Sequence, residues 1–332
     1  MSLARRRPLR PGGVGSIEAL ESLASPSYWQ RFPDVAEREV FRWSVLRASD
    51  GYPLHVYAAG DVNHETVVVV SPPTIPFLLM SKLAASLSRH FHVIAWETRG
   101  GPYLDGKSDG FSLFLDRQAK DLAELLPAAE GGRVHYVGWC GASWIICWAV
   151  LNLKLPVSSI SLIAPNNVDG GKEQTGYQKL VTPIIKQSVA GTPSEIEVAW
   201  NVMREGTNDD LRRTPAERVL GRVVALNIET LKSLREWAKL TRDFYIVPGS
   251  IDEPIGGERA IKLFDDLCGC APLLMLHCRD DDIVSYKCSL TASERNPASK
   301  LVLYPVGGHA VAYLNEPAVS KDVENFIRSS VS

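Results

Sequence analysis

The side chain best placed for covalent chemistry is Cys140, at the centre of the string Val137-Gly138-Trp139-Cys140-Gly141-Ala142. A strand-like run ends in this string and an apolar helix-like run begins there, so the thiol falls on a sharp strand-to-helix turn. Such a turn forces its middle residue into a strained backbone conformation, and only small residues two places before and after it leave room for the neighbouring strand and helix. Gly138 and Ala142 hold those places. The turn lifts the sulfur above the sheet, aims the Gly141 N–H at whatever the sulfur attacks, and sets a helix N-terminus beneath it, which favours thiolate. Cys140 is therefore a candidate nucleophile; Ser143, one place beyond Ala142, already belongs to the helix. Cys147, Cys268, Cys270, Cys278 and Cys288 lie in apolar surroundings of a long chain, which predicts reduced thiols and a cytoplasmic protein. Cys268-Gly269-Cys270 has no second pair at ligand spacing, so no metal is expected. His55, His64, His90, His92 and His135 have no partner motif, and His277 is expected to pack at the mouth of its strand.

Holding a nucleophile on such a turn requires a sheet with crossover helices, and the hydrophobic pattern predicts one. Strands are expected at 40–46, 54–58 and 66–70, separated by the turn signals Ser49-Asp50-Gly51 and Asp61-Val62-Asn63. An alternation follows: helix 78–88, strand 91–96, helix 113–126, strand 134–137, helix 142–153, strand 158–163. Alternating strands and helices make a mainly parallel α/β sheet, and Val67 to Val70 is apolar on both faces, as a central parallel strand requires. After Pro165 about a hundred residues pass before the next strand, too many for a loop. Helical stretches at roughly 173–190, 193–205, 215–227 and 229–242 are separated by breaks at Gly191-Thr192-Pro193, Gly206-Thr207-Asn208 and Thr214-Pro215, which predicts an inserted helical cap over residues 167–249. The core would then comprise residues 26–166 and 250–332, with a helix near 257–267, strand 272–276, a helix near 285–294, strand 300–304 and a last helix over 316–329. Residues 1–25 read as a disordered basic tail, with neither a secretory signal nor an amphipathic transit helix.

The cysteine elbow, the Ile94-Ala95-Trp96-Glu97-Thr98-Arg99-Gly100 stretch and two later strings together resemble the α/β-hydrolase superfamily, with cysteine where G-x-S-x-G usually has serine. The resemblance spans about residues 40–330. His277-Cys278-Arg279-Asp280-Asp281-Asp282-Ile283-Val284 is similar to the family's G-x-x-D-x-[IV]-V and implies Asp281 as the acid. Val306-Gly307-Gly308-His309 is similar to its histidine loop and implies His309 as the base, in the family's order of nucleophile, acid and base. In those roles His309 takes the Cys140 proton, Asp281 holds the imidazole tautomer, and the thiolate attacks an acyl carbonyl. Asp280, Asp282 and Asp169 are the rival acids; spacing favours Asp281.

One departure carries information. Hydrolases of this superfamily usually place His-Gly-X after the third strand, with the X backbone N–H as the second oxyanion donor. This chain has Ser71-Pro72-Pro73-Thr74, and an ungapped count puts Pro73 at X, where there is no N–H to give. Loss of one donor costs about 2.7–4 kcal/mol in an acyl transition state. Either Thr74 supplies the N–H beside that of Gly141, or the enzyme works on an already activated acyl group such as a thioester. In its cysteine elbow, its third loop without His-Gly and its helical cap, the sequence resembles the cysteine-dependent aminoacyl-shuttling acyltransferases of syringomycin-type and coronamic-acid-type peptide synthetase pathways, which work on such thioesters. That resemblance implies an acyl or aminoacyl carrier protein as partner, no cofactor beyond the phosphopantetheine arm of the carrier, and Trp139 and Pro73 at the substrate. The same triad would also serve a thioesterase or lactone hydrolase.

Between Leu211 and Arg242, eight basic side chains face three acidic ones, a local balance of +5. An acidic carrier domain would prefer that face; the same charges also read as a solvated face balanced by Asp209, Asp210 and Asp243. The whole chain of 332 residues carries a formal charge of only −2, with 45% apolar and 22% charged residues, so no global field exists to hold a nucleic acid or an anionic membrane. The longest apolar stretch, Ala142 to Leu151, is about half the ~20 residues that a bilayer crossing needs.

Overall fold

Strands that are apolar on both faces have to be covered on both, and this requirement sets the layers. The computed structural model describes residues 40–73, 75–99, 114–126, 132–208 and 257–330. The expected basic tail, Thr74, Gly100, the cap helices at 215–227 and 229–242 and the basic face between Leu211 and Arg242 lie outside these residues. Eight strands form one sheet: β1 (Arg42–Arg47), β2 (Pro53–Ala59), β3 (Thr66–Val70), β4 (His92–Trp96), β5 (Val134–Trp139), β6 (Ser159–Ile163), β7 (Leu273–Cys278) and β8 (Lys300–Tyr304). Every residue of β3, β4, β5, β6 and β7 is buried, whereas β1 at the edge is mostly exposed. β1 pairs antiparallel with β2, and β2 antiparallel with β4; all later pairings are parallel.

Alternate residues of each central strand feed two cores. Val67 and Val69 face a layer made by a 3₁₀ turn (Phe77–Met80), α1 (Ser81–Leu87) and the C-terminal helix over Glu316–Ser330. Val68 and Val70 face the layer of α2 (Leu115–Leu125), α3 (Ala142–Asn152), α6 (Gly257–Cys268) and α7 (Tyr286–Arg295). Each fully buried valine contributes roughly 1.5–3 kcal/mol, which is why these strands lock in register. Between α3 and α6 the described chain forms α4 (Gly176–Ala190) and α5 (Pro193–Asn208), the first two expected cap helices. α4 begins at a capping box in which Thr175 and Gln178 satisfy each other's backbone N–H groups. A short α8 (Val311–Leu314) follows the histidine loop and leads into α9, the Glu316–Ser330 helix.

The strand order is β1-β2-β4-β3-β5-β6-β7-β8. The chain leaves β3 toward β4 on one side and returns to β5 on the other. A crevice therefore opens beyond the C-terminal ends of β3 and β5, where open α/β sheets place their ligands. The segment Ser71-Pro72-Pro73 leaves β3 at this crevice, and Cys140 leaves β5 beside it.

Candidate active site

Cys140 has φ +52°, a left-handed backbone that non-glycine residues rarely adopt. The surrounding hydrogen bonds hold it there. Its N–H donates to the Ile163 carbonyl at 2.8 Å, extending the β5–β6 ladder one residue past the strand, while its own carbonyl accepts from the Ser143 N–H (3.2 Å) and hydroxyl (2.8 Å). Ser143 is thereby committed to the elbow backbone. A Cβ at Gly138 would stand 2.5 Å from Ile146 Cδ1, so the strand and α3 approach as closely as the turn demands. Gly141 stands at the N-cap of α3 in helical conformation. N–H groups at a helix start have no carbonyl one turn earlier to bond, which leaves this end of α3 suited to a developing oxyanion.

His309 is buried, at 5% exposure, and its Nδ1 lies 2.9 Å from Asp281 Oδ2. Its other nitrogen is left for Cys140, which lies near enough to act on the ring's charge. Burial alone would disfavour the imidazolium. The Asp281 charge and the Cys140 sulfur outweigh that penalty and hold His309 well above its ordinary 6.5. Burial also works against the Asp281 carboxylate, yet His309 and His277 hold it far below its ordinary 3.8. Oδ1 of Asp281 accepts the N–H groups of Ile283 (2.9 Å) and Val284 (2.8 Å), so the acid is fixed to its own turn.

The rival acids are placed elsewhere. Asp169 is buried, but its two oxygens accept the Gly171 and Glu173 N–H groups at 2.9 and 2.7 Å, closing its own loop. Asp282 is exposed. Asp280 accepts the N–H groups of Gly307 (3.2 Å) and Gly308 (3.0 Å) and so ties the acid turn to the histidine loop. That loop needs its glycines: Gly307 has φ +135°, and a Cβ there would meet Cys278 Sγ at 3.1 Å.

Trp139, expected at the substrate, is 2% exposed and lies behind the base. Its indole N–H donates to the His309 carbonyl at 3.0 Å, with the two rings 5.3 Å apart. Pro73 is half-buried at the crevice beyond β3. The preceding Pro72 carbonyl accepts from Ile75 N–H (3.2 Å) and the Thr98 hydroxyl (3.1 Å), and Glu97 Oε2 accepts the Phe77 N–H at 3.0 Å. Two residues beyond β4 thus hold the loop beyond β3, a role the sequence signals only through the adjacency of those two strands. Arg99 has no part in the site. Its buried guanidinium pairs with Asp50 and Asp121, pinning the β4 exit to the first turn and to α2. His277, one residue before the end of β7, is fully buried at the mouth of its strand with Nε2 3.2 Å from Asp281 Oδ2. Among the described residues no cluster of metal-ligating side chains occurs, and no helix is long and apolar enough to cross a membrane.

No protein-family model and no curated protein sequence matches the chain. Solved structures do. A bacterial membrane phospholipase A, described as a virulence factor, superposes with a TM-score of 0.63 at 16% identity, covering 92% of this chain and 93% of that one. A putative lipase from Acinetobacter baumannii gives 0.61 at 15% identity over 98% of both chains. A loop variant of a haloalkane dehalogenase from Bradyrhizobium elkanii gives 0.65 at 14% identity over 87% of this chain and 97% of that one. With the eight-stranded, mostly parallel sheet and its covering helices, these superpositions show that the chain has the α/β-hydrolase fold.

Proposed function

We propose that the protein is a cysteine-dependent acyl-group hydrolase acting on activated acyl compounds, a thioesterase or lactone hydrolase. The observation that supports it most is Cys140 held at φ +52° close to the buried His309, whose Nδ1 is 2.9 Å from the buried Asp281 carboxylate. The solved structures that share the fold include ones described as lipases and esterases, and their names favour hydrolysis over transfer.

The chemistry follows from the arrangement. His309 takes the thiol proton, and the Cys140 thiolate attacks the acyl carbonyl; a C–S bond forms while the Gly141 N–H faces the oxyanion. Collapse breaks the bond to the leaving group, which receives the proton from His309. Water then gives a proton to His309 and attacks the acyl-cysteine, and release of the acid returns the thiol. Asp281 stays ionised throughout and balances the imidazolium. A thiol nucleophile suits a good leaving group better than an alkoxide, and so would an oxyanion hole in which Pro73 stands where a donor is usual and Thr74 does not replace it. The same two features support a second reading, in which the acyl group passes from Cys140 to an acceptor thiol on an acyl or aminoacyl carrier protein.

Intact-mass analysis after mixing the protein with a panel of acyl thioesters tests both. Hydrolysis predicts an acyl adduct on Cys140 that decays in buffer alone, and transfer predicts one that persists until a thiol acceptor is added. Absence of any adduct across the panel, together with rapid turnover of unactivated alkyl esters, would overturn the preference for activated acyl groups.

A further inference from the structure

The buried carboxylate of Asp281 faces two imidazoles, and only one of them has a role in the chemistry above. His277, on β7 four residues before Asp281, has no exposed surface, and its Nε2 lies 3.0 Å from the Val284 carbonyl and 3.2 Å from Asp281 Oδ2. Its Nδ1 is 2.8 Å from the hydroxyl of Ser289 on α7. We infer that His277 is a positioning residue of the catalytic centre: one N–H on Nε2, shared between the Val284 carbonyl and Asp281 Oδ2, fixes the carboxylate oxygen that orients His309. The inference rests on the reading of Cys140 and His309 as a working pair, and it adds a residue that this reading does not require.

The tautomer follows from the partners. A carbonyl and a carboxylate only accept, so Nε2 must carry the proton; Ser289 can donate to the bare Nδ1 of a neutral ring. The arrangement also fills the acid. Two backbone N–H groups occupy Oδ1, and His309 and His277 occupy Oδ2, so the four lone-pair positions of a carboxylate shut away from water are all used. Bonds at Oδ1 alone leave the carboxyl plane free to turn about its own axis. The contact from His277 at Oδ2 sets that rotation and with it the line from Oδ2 to His309 Nδ1. His277 also draws the Val284 carbonyl inward, on the residue whose N–H holds Oδ1, so ring, turn and carboxylate lock together.

The resulting chain runs from the Ser289 hydroxyl through His277, Asp281 and His309 to the Cys140 sulfur. It joins α7, the end of β7, the histidine loop and the elbow after β5. The other titratable groups packed around it do not compete for it. Asp280 is engaged with Gly307 and Gly308, and burial pushes the Cys288 thiol of α7 up, out of the range in which the centre works.

The rate of Cys140 alkylation by iodoacetamide, followed across pH by peptide mass spectrometry, tests the inference without any substrate. Cys270, exposed just before the start of β7 and so at the other end of that strand from Asp281, is the reference thiol within each sample. His277→Leu should move the rising limb of the Cys140 profile upward by about one pH unit, a roughly tenfold loss of rate at a fixed pH on that limb. His277→Gln, whose amide N–H can reach the same two acceptors, should recover at least a third of the parent rate. A purely structural role would lower the melting temperature of both variants and leave both profiles where the parent has them. Superimposable profiles for parent and His277→Leu, or equal defects in the Leu and Gln variants, would overturn the inference. If His277→Leu does not fold, Ser289→Ala carries the test, since loss of the donor to Nδ1 frees the opposite tautomer. It should slow alkylation at least threefold, and an unchanged rate there counts against the inference. A parent protein whose Cys140 alkylates no faster than Cys270 would instead remove the nucleophile reading, an outcome separate from any difference among the variants.

Discussion

Replacing Asp281 by asparagine removes a charge and, more consequentially, reverses a hydrogen-bond polarity that the surroundings cannot accept. Four donors converge on the carboxylate: two backbone N–H groups on Oδ1 and two imidazoles on Oδ2. An asparagine has one acceptor oxygen and one NH₂, so two of the four donors must face another donor. The backbone amides of Ile283 and Val284 cannot change, whereas an imidazole can move its proton from one nitrogen to the other. The side-chain oxygen therefore turns to the backbone pair, and the NH₂ turns to the rings. His309 answers by accepting at Nδ1 and carrying its proton on Nε2, the nitrogen that faces Cys140. In that state it cannot take the thiol proton.

The magnitude has two parts. Charge centres about 4 Å apart at an effective dielectric of 20 interact by about 4 kcal/mol, or a factor of about 10³ in rate if the whole of it is lost in the transition state. A reversed tautomer in a triad costs about 10⁴. Because both describe the failure of one unit they do not add, and acylation by an activated thioester should fall 10³–10⁴-fold in Asp281→Asn. Single-turnover acylation followed by intact mass gives this rate directly, with circular dichroism as the check that the fold persists. A folded Asp281→Asn protein that acylates within tenfold of the parent would refute the assignment, and a larger loss in Asp169→Asn would move the acid to the loop after β6.

Cys140→Ala should abolish the acyl adduct in the same experiment, whereas Cys147→Ala, Cys268→Ala and Cys278→Ala should keep it. Asp280→Ala leaves the triad's atoms in place but strips two N–H groups of their acceptor; at about 1–3 kcal/mol for an unsatisfied buried donor, a rate loss of roughly 10–100-fold is expected, smaller than that of Asp281→Asn. Gly138→Ala should destabilise by about 1–3 kcal/mol in urea titration through overpacking against Ile146, and Ile146→Val in the same chain should restore part of it. Because folding holds Asp281 below its ordinary 3.8, its stabilisation is complete above that pH and is lost as pH falls below it toward the folded value. Asp281→Asn should therefore flatten the acid side of the stability profile below about pH 4, read as the urea midpoint against pH.

What the sequence revealed and what it concealed follow from the distance over which each feature is decided. The sheet was legible because β3 to β7 are short apolar runs between turn residues, and a parallel strand covered on both faces leaves that signature in five or six consecutive residues. The elbow was legible for the same local reason: the small residues at 138 and 142 are imposed by the turn that Cys140 itself makes. The apolar run that marks β7 in the sequence ends at Leu276, yet the strand continues through Cys278 with every residue buried. A histidine can lie inside a parallel strand only if its nitrogens are satisfied, and its partners, Ser289 and the Asp281–Val284 turn, arrive from outside the strand. Asp280 and Trp139 were concealed in the same way. Asp280 looked like a rival acid and Trp139 like a pocket wall, because each is defined by a bond to the histidine loop, 27 or 28 residues away for Asp280 and 170 for Trp139. All three are bonded to Asp281, to His309 or to the loop that carries His309. In this chain the elbow at Cys140 carries its geometry with it in sequence, while His309 and Asp281 are held by neighbours that only the assembled sheet edge brings near.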